Sequence, residues 1–348
     1  QAAIEGLRLA LGASVTSRLR DITRAAVELS GGLDSSSIAS LVGRSLRAGS
    51  ISTEMLALSA VFPGMACDET PFIDIAASAL PFRTCRYDGS VFSDVNLSRP
   101  IRAWPGGTNA TNLGYGGVAN ALAFGADVIL GGLGGDQLFH DLDAMADMLF
   151  AARWRELVRA LATSTPRGRR LRLRAMARGV ASRVPDPVKS TARRLRALFE
   201  PVTSDPPPTW LTPLASSLWN SPSIARFTPI EVPGLSPGVL QRSMLSRLWG
   251  EALAFDVAAV VRMWADVGVE YRTPFLDRRL VEFALAIPAE CRTVTGLSRT
   301  LLRQAMQGLL PPAILSRTDK ASFTDVVVRM AAESSAWLSR QAWSSPLE

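Results

Sequence analysis

Two short stretches of this sequence combine glycine, aspartate and hydroxyl side chains in a way that suits phosphate chemistry. The first is Ser30-Gly31-Gly32-Leu33-Asp34-Ser35-Ser36, and the second is Gly131-Gly132-Leu133-Gly134-Gly135-Asp136. Glycine lets backbone N–H groups approach a phosphate chain, and a helix N-terminus adds further donors and a favourable dipole. An aspartate repels phosphate unless a divalent cation lies between them, so Asp34 predicts bound Mg²⁺.

Two other motifs that carry comparable chemistry do not fit the first stretch. A Walker P-loop requires Gly-Lys-Ser/Thr after its glycines, and no lysine lies nearby. A hydrolase nucleophile elbow requires Gly-x-Ser-x-Gly, which is absent. The single histidine, His140, makes a Ser-His-Asp triad a poor candidate. An ordinary strand–turn–helix connection without a ligand remains the alternative to a phosphate loop.

The elements that must position these stretches alternate between strand and helix. Strands are predicted at Ala25–Leu29, Met55–Phe62, Phe82–Tyr87 and Asp127–Leu130, and helices at 1–20, Ser35–Arg47, Asp68–Ala79 and Leu113–Phe124. This alternation predicts an α/β fold with a parallel twisted sheet flanked by helices. Such sheets bind ligands at the carboxyl ends of their strands, where both glycine-rich stretches fall. From residue 237 onward the pattern predicts a mostly helical C-terminal portion.

The positive charge of the chain is concentrated in one segment. Net charge is +7, yet residues 153–196 carry thirteen arginines and one lysine against only Glu156 and Asp186. The high isoelectric point is therefore a local feature, and no nucleic-acid partner is expected. The segment is predicted to be a solvated helical face or a partly disordered insertion, with contact to an acidic peptide, a partner protein or nucleic acid as the alternative.

Cysteine content and hydropathy bear on the compartment. Cys67, Cys85 and Cys291 are widely spaced and odd in number, which fits neither a disulfide framework nor a zinc site. The most apolar stretch, residues 117–135, contains an asparagine, an aspartate and many glycines, so no membrane association is expected. A soluble protein of the reducing cytoplasm is predicted.

Four stretches together resemble one family of enzymes. Residues 30–35 resemble the Ser-Gly-Gly-x-Asp-Ser loop of the ATP pyrophosphatases (PP-loop enzymes with an adenine nucleotide α hydrolase-like fold), which adenylate a carbonyl oxygen. Residues 131–139 are similar to the second phosphate loop of the asparagine synthetase branch. Glu270–Pro288 and Leu309–Phe323 resemble that branch's Arg-x-Pro-Phe-Leu-Asp stretch and the segment that ends in its essential lysine. The matches follow the family's order along the chain.

The resemblance implies ATP and Mg²⁺ as cofactors and assigns roles to individual residues. Asp34 and Asp136 would hold the metal, and Lys320 would stabilise the negative charge that develops when an amine attacks an acyl-adenylate. Arg262 is a second catalytic candidate, with a buried ion pair to Asp266 as the alternative. ATP and pyrophosphate contacts are predicted for Leu29, Ser30, Gly31, Gly32, Asp34, Ser35, Ser36, Ser59, Gly132, Gly134 and Gly135.

Other charged residues of the matched stretches receive smaller roles. Arg299 and Arg303 are further phosphate candidates, although a helix surface is favoured for both. Arg272 and Asp277 are predicted to hold their loop rather than to take part in the chemistry.

Leu133 is the informative departure from the family. Asparagine synthetases carry a glutamate there, and β-lactam synthetase carries a tyrosine paired with a glutamate as base. An N-terminal α-amine, with a pKa of about 7.7–8.0, depends least on such a base, whereas a lysine amine at about 10.4 depends on it most. The resemblance therefore favours a lasso peptide cyclase, which closes an isopeptide ring between a precursor's N-terminal amine and an Asp or Glu side chain. An asparagine synthetase-like amide ligase and a catalytically degenerate nucleotide-binding scaffold remain alternatives.

The expected organisation follows from the same resemblance. Residues 1–140 are predicted as the PP-loop ATP-binding core, 141–213 as a basic helical insertion with a proline-rich loop, and 214–348 as a helical part that completes the active site. The family's N-terminal glutaminase-like domain is not visible in this chain. The expected partners are a precursor peptide and a leader peptidase or leader-recognition protein.

Overall fold

The computed structural model describes residues 1–90, 115–182, 238–293, 297–319, 321–326 and 328–329. Lys320 lies outside the described residues. The chain divides into two compact units. Unit 1 comprises residues 1–139, 251–287 and 299–348, and unit 2 comprises residues 140–250 and 288–298. The domain boundaries predicted from the sequence stay a prediction.

Unit 1 is an α/β unit built on a parallel sheet. Its strands are β1 (Arg24–Glu28), β2 (Glu54–Val61), β3 (Thr84–Asp88), β4 (Val128–Leu130) and β5 (Glu270–Arg272). Its helices are α1 (Ala2–Ser17), α2 (Leu33–Arg47), α3 (Thr70–Ser78), α4 (Tyr115–Phe124), α5 (Gly135–Leu138), α10 (Glu251–Ala265), α11 (Arg278–Ala286), α12 (Thr300–Ala305) and α13 (Pro312–Ser316), with a 3₁₀ turn at Pro274–Leu276. The predicted fold class is confirmed.

The strand order places a ligand-binding crevice at one defined point of the sheet. All five strands are parallel, in the order β3-β2-β1-β4-β5. The chain steps outward from β1 to β3 and then returns to the other side of β1. In such sheets the reversal opens a crevice between the two neighbouring strands at their carboxyl ends. Here the neighbours are β1 and β4, and each continues into one of the two glycine-rich stretches.

The central strands form as they do because helices cover both faces of the sheet. Ala25, Ala26 and Val27 of β1 are fully buried, which explains a continuous apolar run rather than an alternating pattern. On one face, Phe124 of α4 and Trp264 of α10 belong to the cluster that covers the sheet. Burial of this kind stabilises each large side chain by roughly 1.5–3 kcal/mol, and it fixes the strand ends on which the loops depend.

One strand departs from the sequence-based prediction. The region after residue 237 was predicted to be helical, but Glu270–Arg272 forms β5 and pairs with β4 from Val128 to Leu130. Three residues are too few to show a period-two pattern, so the strand is specified by its neighbour rather than by local sequence. Tyr271, the buried member of β5, later proves to contact the candidate site.

Unit 2 is helical within the described residues. It contains α6 (Ala144–Phe150), α7 (Trp154–Ala162), α8 (Pro166–Ser182), α9 (Val239–Leu248) and a 3₁₀ turn at Ala289–Cys291. The carboxylate of Asp147 accepts the N–H groups of Val239 and Leu240 at 2.7 and 2.9 Å, and so caps the start of α9.

The described part of the arginine-rich segment, residues 153–182, is mostly a solvated face as predicted, with one exception. Arg172 is 1 % exposed, lies 4.0 Å from the buried Asp141, and donates to the carbonyl of Leu297 at 3.1 Å. Desolvation lowers the pKa of Arg172, and Asp141 raises it in part. Arg172 is therefore an internal ion-pair residue rather than a candidate for peptide contact.

Two findings bear on the membrane and cysteine expectations. Among the described residues, no helix combines the length and apolar character needed to cross a bilayer. All three cysteines are free thiols in the structure. The cytoplasmic location remains a prediction.

Candidate active site

The first glycine-rich stretch forms the turn between β1 and α2 and is held by its own serines. The hydroxyls of Ser30 and Ser35 lie 2.9 Å apart, and Ser35 Oγ also accepts the Ser30 N–H at 3.1 Å. Gly32 is the N-cap of α2, so Asp34 lies in the first turn of this helix. Gly31 has a φ of +71°, and a β-carbon there would lie 2.7 Å from the backbone of Phe72. Only glycine fits this turn.

Two further predicted contacts support the loop from beneath. Leu29 donates its N–H to the carbonyl of Leu58 at 2.8 Å, and its own carbonyl accepts the Ser59 hydroxyl at 2.6 Å. Ser59 is fully buried, so its hydroxyl is committed to the end of β1. Ser36 is also buried, and its hydroxyl has no hydrogen-bond partner among the described residues.

The second glycine-rich stretch follows β4 and packs against the first. An ideal β-carbon at Gly132 would lie 3.2 Å from the backbone nitrogen of Ser35. At Gly135 it would lie 2.6 Å from Cγ of Asp34. Gly134 has a φ of +94° and caps the short helix α5, which carries Asp136. The glycines therefore allow the two loops to approach each other. This proximity is expected because β1 and β4 are neighbouring parallel strands whose carboxyl ends lie at the same edge of the sheet.

Arg299 joins the two aspartates predicted to bind metal. Its Nη1 lies 2.7 Å from Oδ2 of Asp34 and 2.8 Å from Oδ1 of Asp136. Arg299 itself has a φ of +56° and precedes α12. The preference for a helix-surface location was wrong for this residue and also for Arg303, which is 6 % exposed and donates to the carbonyl of Leu315 at 2.7 Å.

The geometry is suited to a divalent cation. Two carboxylates lie close enough to share one positive group, and Mg²⁺ is usually held by one or two carboxylates together with phosphate oxygens. No cluster of three or more His, Cys, Asp or Glu side chains with metal-binding geometry occurs in the part of the chain that the structure describes. Asp34 and Asp136 would therefore supply two carboxylate ligands to such a cation.

Sequence reasoning did not single out Arg317, which closes the loop on the side of α3. Its guanidinium lies 2.5 Å from Oε1 of Glu69, stacks 3.9 Å from the ring centroid of Phe72, and donates to the carbonyl of Gly31 at 3.4 Å. The only signal in the sequence was its place in the stretch that resembles the lysine-containing segment. A buried guanidinium next to a glycine loop adds positive charge where phosphate is predicted.

A cavity of about 440 Å³ connects these groups. Such a volume is typical of small-molecule sites. The polar lining includes Ser30, Asp34, Asp136 and Arg299. The rest of the wall is largely apolar and includes Leu58, Leu133, Val260, Met263 and Phe323.

The remaining predicted residues lie in different places. Arg262 is on α10, 44 % exposed, and its Nε lies 4.0 Å from Asp266. The ion pair weighed for these two residues therefore exists, but it is exposed rather than buried. Arg262 is not among the described residues that line the cavity, whereas Val260 and Met263 of the same helix are. The roles of Arg262 and Lys320 stay predictions.

Arg272 and Asp277 hold their segment, as predicted. Asp277 caps α11 by accepting the Arg279 N–H at 3.0 Å, and it pairs with Arg18 at 2.9 Å. Burial alone would raise the pKa of Asp277, but hydrogen bonds from Arg279 and Arg18 outweigh it and hold the pKa well below its usual range. Arg272 donates to the carbonyl of Arg18 and pairs with Glu270.

A partly buried acid that the sequence analysis missed lines the cavity. Glu28, the last residue of β1, accepts a hydrogen bond from the hydroxyl of Tyr271 at 3.0 Å. Burial raises the pKa of Glu28 to about 7, although hydrogen bonds from Tyr271 and from the Gly132 backbone lower it in part. Burial, together with the charge of and hydrogen bond to Glu28, raises the pKa of Tyr271 well above its ordinary value.

Comparison with known proteins gives one extensive match. The sequence model of the family described as asparagine synthase matches residues 6–347. Among individual proteins, asparagine synthetase [glutamine-hydrolyzing] of Gallus gallus is 43 % identical over 82 residues, which are 23 % of this chain and 14 % of that protein. The Homo sapiens protein of the same name is 39 % identical over 82 residues with the same coverage.

A solved structure gives a much weaker similarity. The NAD+ synthetase from Burkholderia pseudomallei aligns with 39 % of this chain and 65 % of its own, at 17 % identity and a TM-score of 0.27. That score is too low to establish a shared fold. The aligned stretch of the curated relatives likewise spans only 14 % of their length.

Proposed function

We propose, from the premise that this chain belongs to the asparagine synthase family, that it is an ATP-dependent amide-bond-forming ligase that adenylates a carboxylate and releases AMP and pyrophosphate. The main support for this proposal is the pair of glycine loops at the ends of β1 and β4, where Asp34 and Asp136 lie close enough to share one cation. Asp34 and Asp136 would hold Mg²⁺, which would neutralise phosphate charge and orient the nucleotide.

The remaining groups have roles that follow from their positions. Backbone N–H groups of the first loop and the start of α2 would bind the pyrophosphate part of ATP. Arg299 and Arg317 would add positive charge next to it, and Lys320 would stabilise the developing charge during amine attack. Leu58, Val260 and Met263 would exclude water, which would otherwise hydrolyse an acyl-adenylate.

For the substrate, we propose a lasso precursor peptide whose Asp or Glu side chain is activated and whose N-terminal amine closes the ring. Leu133, on the apolar wall, cannot itself take a proton from the amine. An α-amine with a pKa of about 7.7–8.0 is roughly a tenth or more neutral near pH 7, whereas a lysine amine at about 10.4 is almost wholly charged. The α-amine is therefore the nucleophile that suits this wall best.

An asparagine synthetase-like ligase that uses ammonia or another amine is compatible with the same loops and metal pair. A catalytically degenerate nucleotide-binding scaffold is the second alternative. Retention of Asp34, Asp136 and Lys320 favours an enzyme, because a scaffold needs none of the three. A precursor peptide and a leader peptidase are the partners we propose.

The test is mass spectrometry of a candidate precursor peptide incubated with the protein and Mg-ATP. Loss of one water from the peptide, with AMP and pyrophosphate in equal amounts, would support the cyclase. Free asparagine formed from aspartate and ammonia would support the amide ligase instead. Tight ATP binding without turnover on any of these substrates would support the scaffold and contradict both enzymes.

A further inference from the structure

Glu28 is an unusual residue to find at the end of a central strand. The three residues before it are fully buried and apolar, and the sheet position it takes is bordered by β2 and β4. Its carboxyl group lines the 440 Å³ cavity rather than bulk solvent. Burying a carboxyl group without need is costly, so the sequence tolerates this acid only where contacts offset the cost.

One hydrogen bond holds the carboxyl group in place. The hydroxyl of Tyr271 on β5 donates to Oε2 at 3.0 Å, and the nearby Gly132 backbone lowers the pKa of the acid in part. Gly131 leaves the space for this arrangement, because a β-carbon there would lie 2.8 Å from Glu28 Oε2 and would overlap the hydroxyl of Tyr271. The acid is therefore fixed against the second glycine loop.

The position of Glu28 relative to the predicted reaction centre follows from Gly132. The backbone of this residue is close enough to Glu28 to lower its pKa in part. A β-carbon added to Gly132 would lie 3.2 Å from the backbone nitrogen of Ser35 and 3.5 Å from Cβ of Asp34 in the first loop. The next residue is Leu133, at the position where relatives of this branch were expected to carry their base. The carboxyl group of Glu28 thus lies beside Gly132, the residue immediately before Leu133. The apolar side chain of Leu133 cannot itself act as a base.

Glu28 has an environment that suits proton transfer near neutral pH. Burial raises its pKa to about 7, and general bases work best with a pKa near the working pH. Tyr271 of β5 and Tyr87 of β3 face it, and burial together with Glu28 raises the pKa of both phenols, so they stay protonated. Asp34, Asp136 and Arg299 line the same cavity.

We infer that Glu28 is the group that accepts the proton from the attacking amine. The inference rests on the proposed ligase function. The amine nitrogen forms a bond with the carbonyl carbon of the acyl-adenylate, and the bond between that carbon and the phosphate oxygen breaks. AMP leaves with the electron pair, and the proton released from nitrogen passes to the carboxylate of Glu28. Tyr271 acts as a positioning residue that holds this carboxylate.

The proposed preference between amines rests on the neutral form that attacks. Near pH 7 roughly a tenth or more of an α-amine with a pKa of about 7.7–8.0 is neutral, whereas a lysine amine at about 10.4 is almost wholly charged. Glu28 takes only the proton that the neutral amine loses on attack, so the preference for a peptide N-terminus still follows from the pKa of the amine.

The test separates activation of the carboxylate from its condensation with the amine. Glu28→Gln keeps a carbonyl that accepts from Tyr271 but cannot take a proton. Peptide-dependent ATP–pyrophosphate exchange reports adenylation, and hydroxylamine, which is largely uncharged at neutral pH, traps the adenylate as a hydroxamate without a base. We expect both to stay near wild type in Glu28→Gln, while amide formation falls by about 10²–10⁴-fold.

Controls make each outcome decisive. Wild-type amide formation is expected to rise with pH through about 7 as Glu28 loses its proton. In Glu28→Gln this limb is expected to be absent, and only the rise from the α-amine itself at about 7.7–8.0 should remain. Glu54 is an exposed carboxylate on β2 that pairs with Arg24, and the rate of Glu54→Gln is expected to match wild type. Glu28→Asp is expected to recover part of the rate that Glu28→Gln loses. A wild-type rate of amide formation by Glu28→Gln would overturn the inference. An equal loss of ATP–pyrophosphate exchange in this variant would also overturn it, because that result would place Glu28 in nucleotide binding. Absence of exchange in the wild-type protein would instead refute the proposed function.

Discussion

Replacing Glu28 with glutamine removes an ionisable carboxyl group, and the structure indicates how this changes the pH dependence of stability. Burial raises the pKa of Glu28 from 4.5 to about 7, so the folded protein holds a proton at pH values where the unfolded chain has released it. Stability from this raised pKa is fully present below about pH 4.5 and is lost as pH rises through about 7. The difference between these two pKa values corresponds to about 3 kcal/mol of unfolding free energy.

Urea unfolding at about pH 5 and about pH 8.5 measures this loss. Between these two pH values the free energy of unfolding should fall by about 2–3 kcal/mol more in wild type than in Glu28→Gln. The reason is that glutamine keeps the hydrogen bond from Tyr271 but does not titrate. Glu54→Gln serves as the matched control, since its side chain is 60 % exposed. Equal losses in wild type and Glu28→Gln would refute the raised pKa, and with it the expected pH limb of amide formation.

The remaining predictions concern the loops and the lysine. Asp34→Asn should lower ATP–pyrophosphate exchange by at least about 100-fold without changing the circular dichroism spectrum, and exchange within tenfold of wild type would contradict its role at the metal. Gly135→Ala should also weaken exchange, because the new β-carbon would lie 2.6 Å from Asp34 Cγ. Gly12→Ala, where nothing lies within 4 Å of the added carbon, is the control and should leave exchange unchanged. Lys320→Ala should keep ATP binding, measured by calorimetry, but lower amide formation by about 100-fold or more, and a near wild-type rate would remove its role.

The sequence was a good guide to the parts of the fold that depend on local pattern. The four strands from β1 to β4 and the helices between them were predicted within a few residues, because buried parallel strands are apolar runs that end in glycine turns. The two loops at the strand ends followed from the same signals. β5 was missed because three residues carry no period of their own, and pairing with β4 alone defines the strand.

The candidate site was predicted less completely, since its contacts join distant residues. Asp34 lies 265 positions from Arg299, and Glu28 lies 243 positions from Tyr271, so no local pattern reveals either pair. Arg299 was assigned to a helix surface, whereas its positive φ turns it toward the two aspartates. Glu28 lies two residues before the first glycine-rich stretch, but its role depends on burial that only the folded sheet provides.

The pairing of β4 with β5 has a consequence for how this chain folds and diversifies. These neighbouring strands are separated in sequence by residues 131–269, which include most of unit 2. The entropy of closing such a loop rises only slowly with its length, so helices can be gained, lost or exchanged there at little cost to strand pairing. Strand pairing over this sequence distance is expected to be slow, and β5 is expected to join the sheet late in folding. Tyr271 therefore reaches Glu28 only when the sheet is complete, and a chain that stalls before that step retains both glycine turns but lacks the fixed acid.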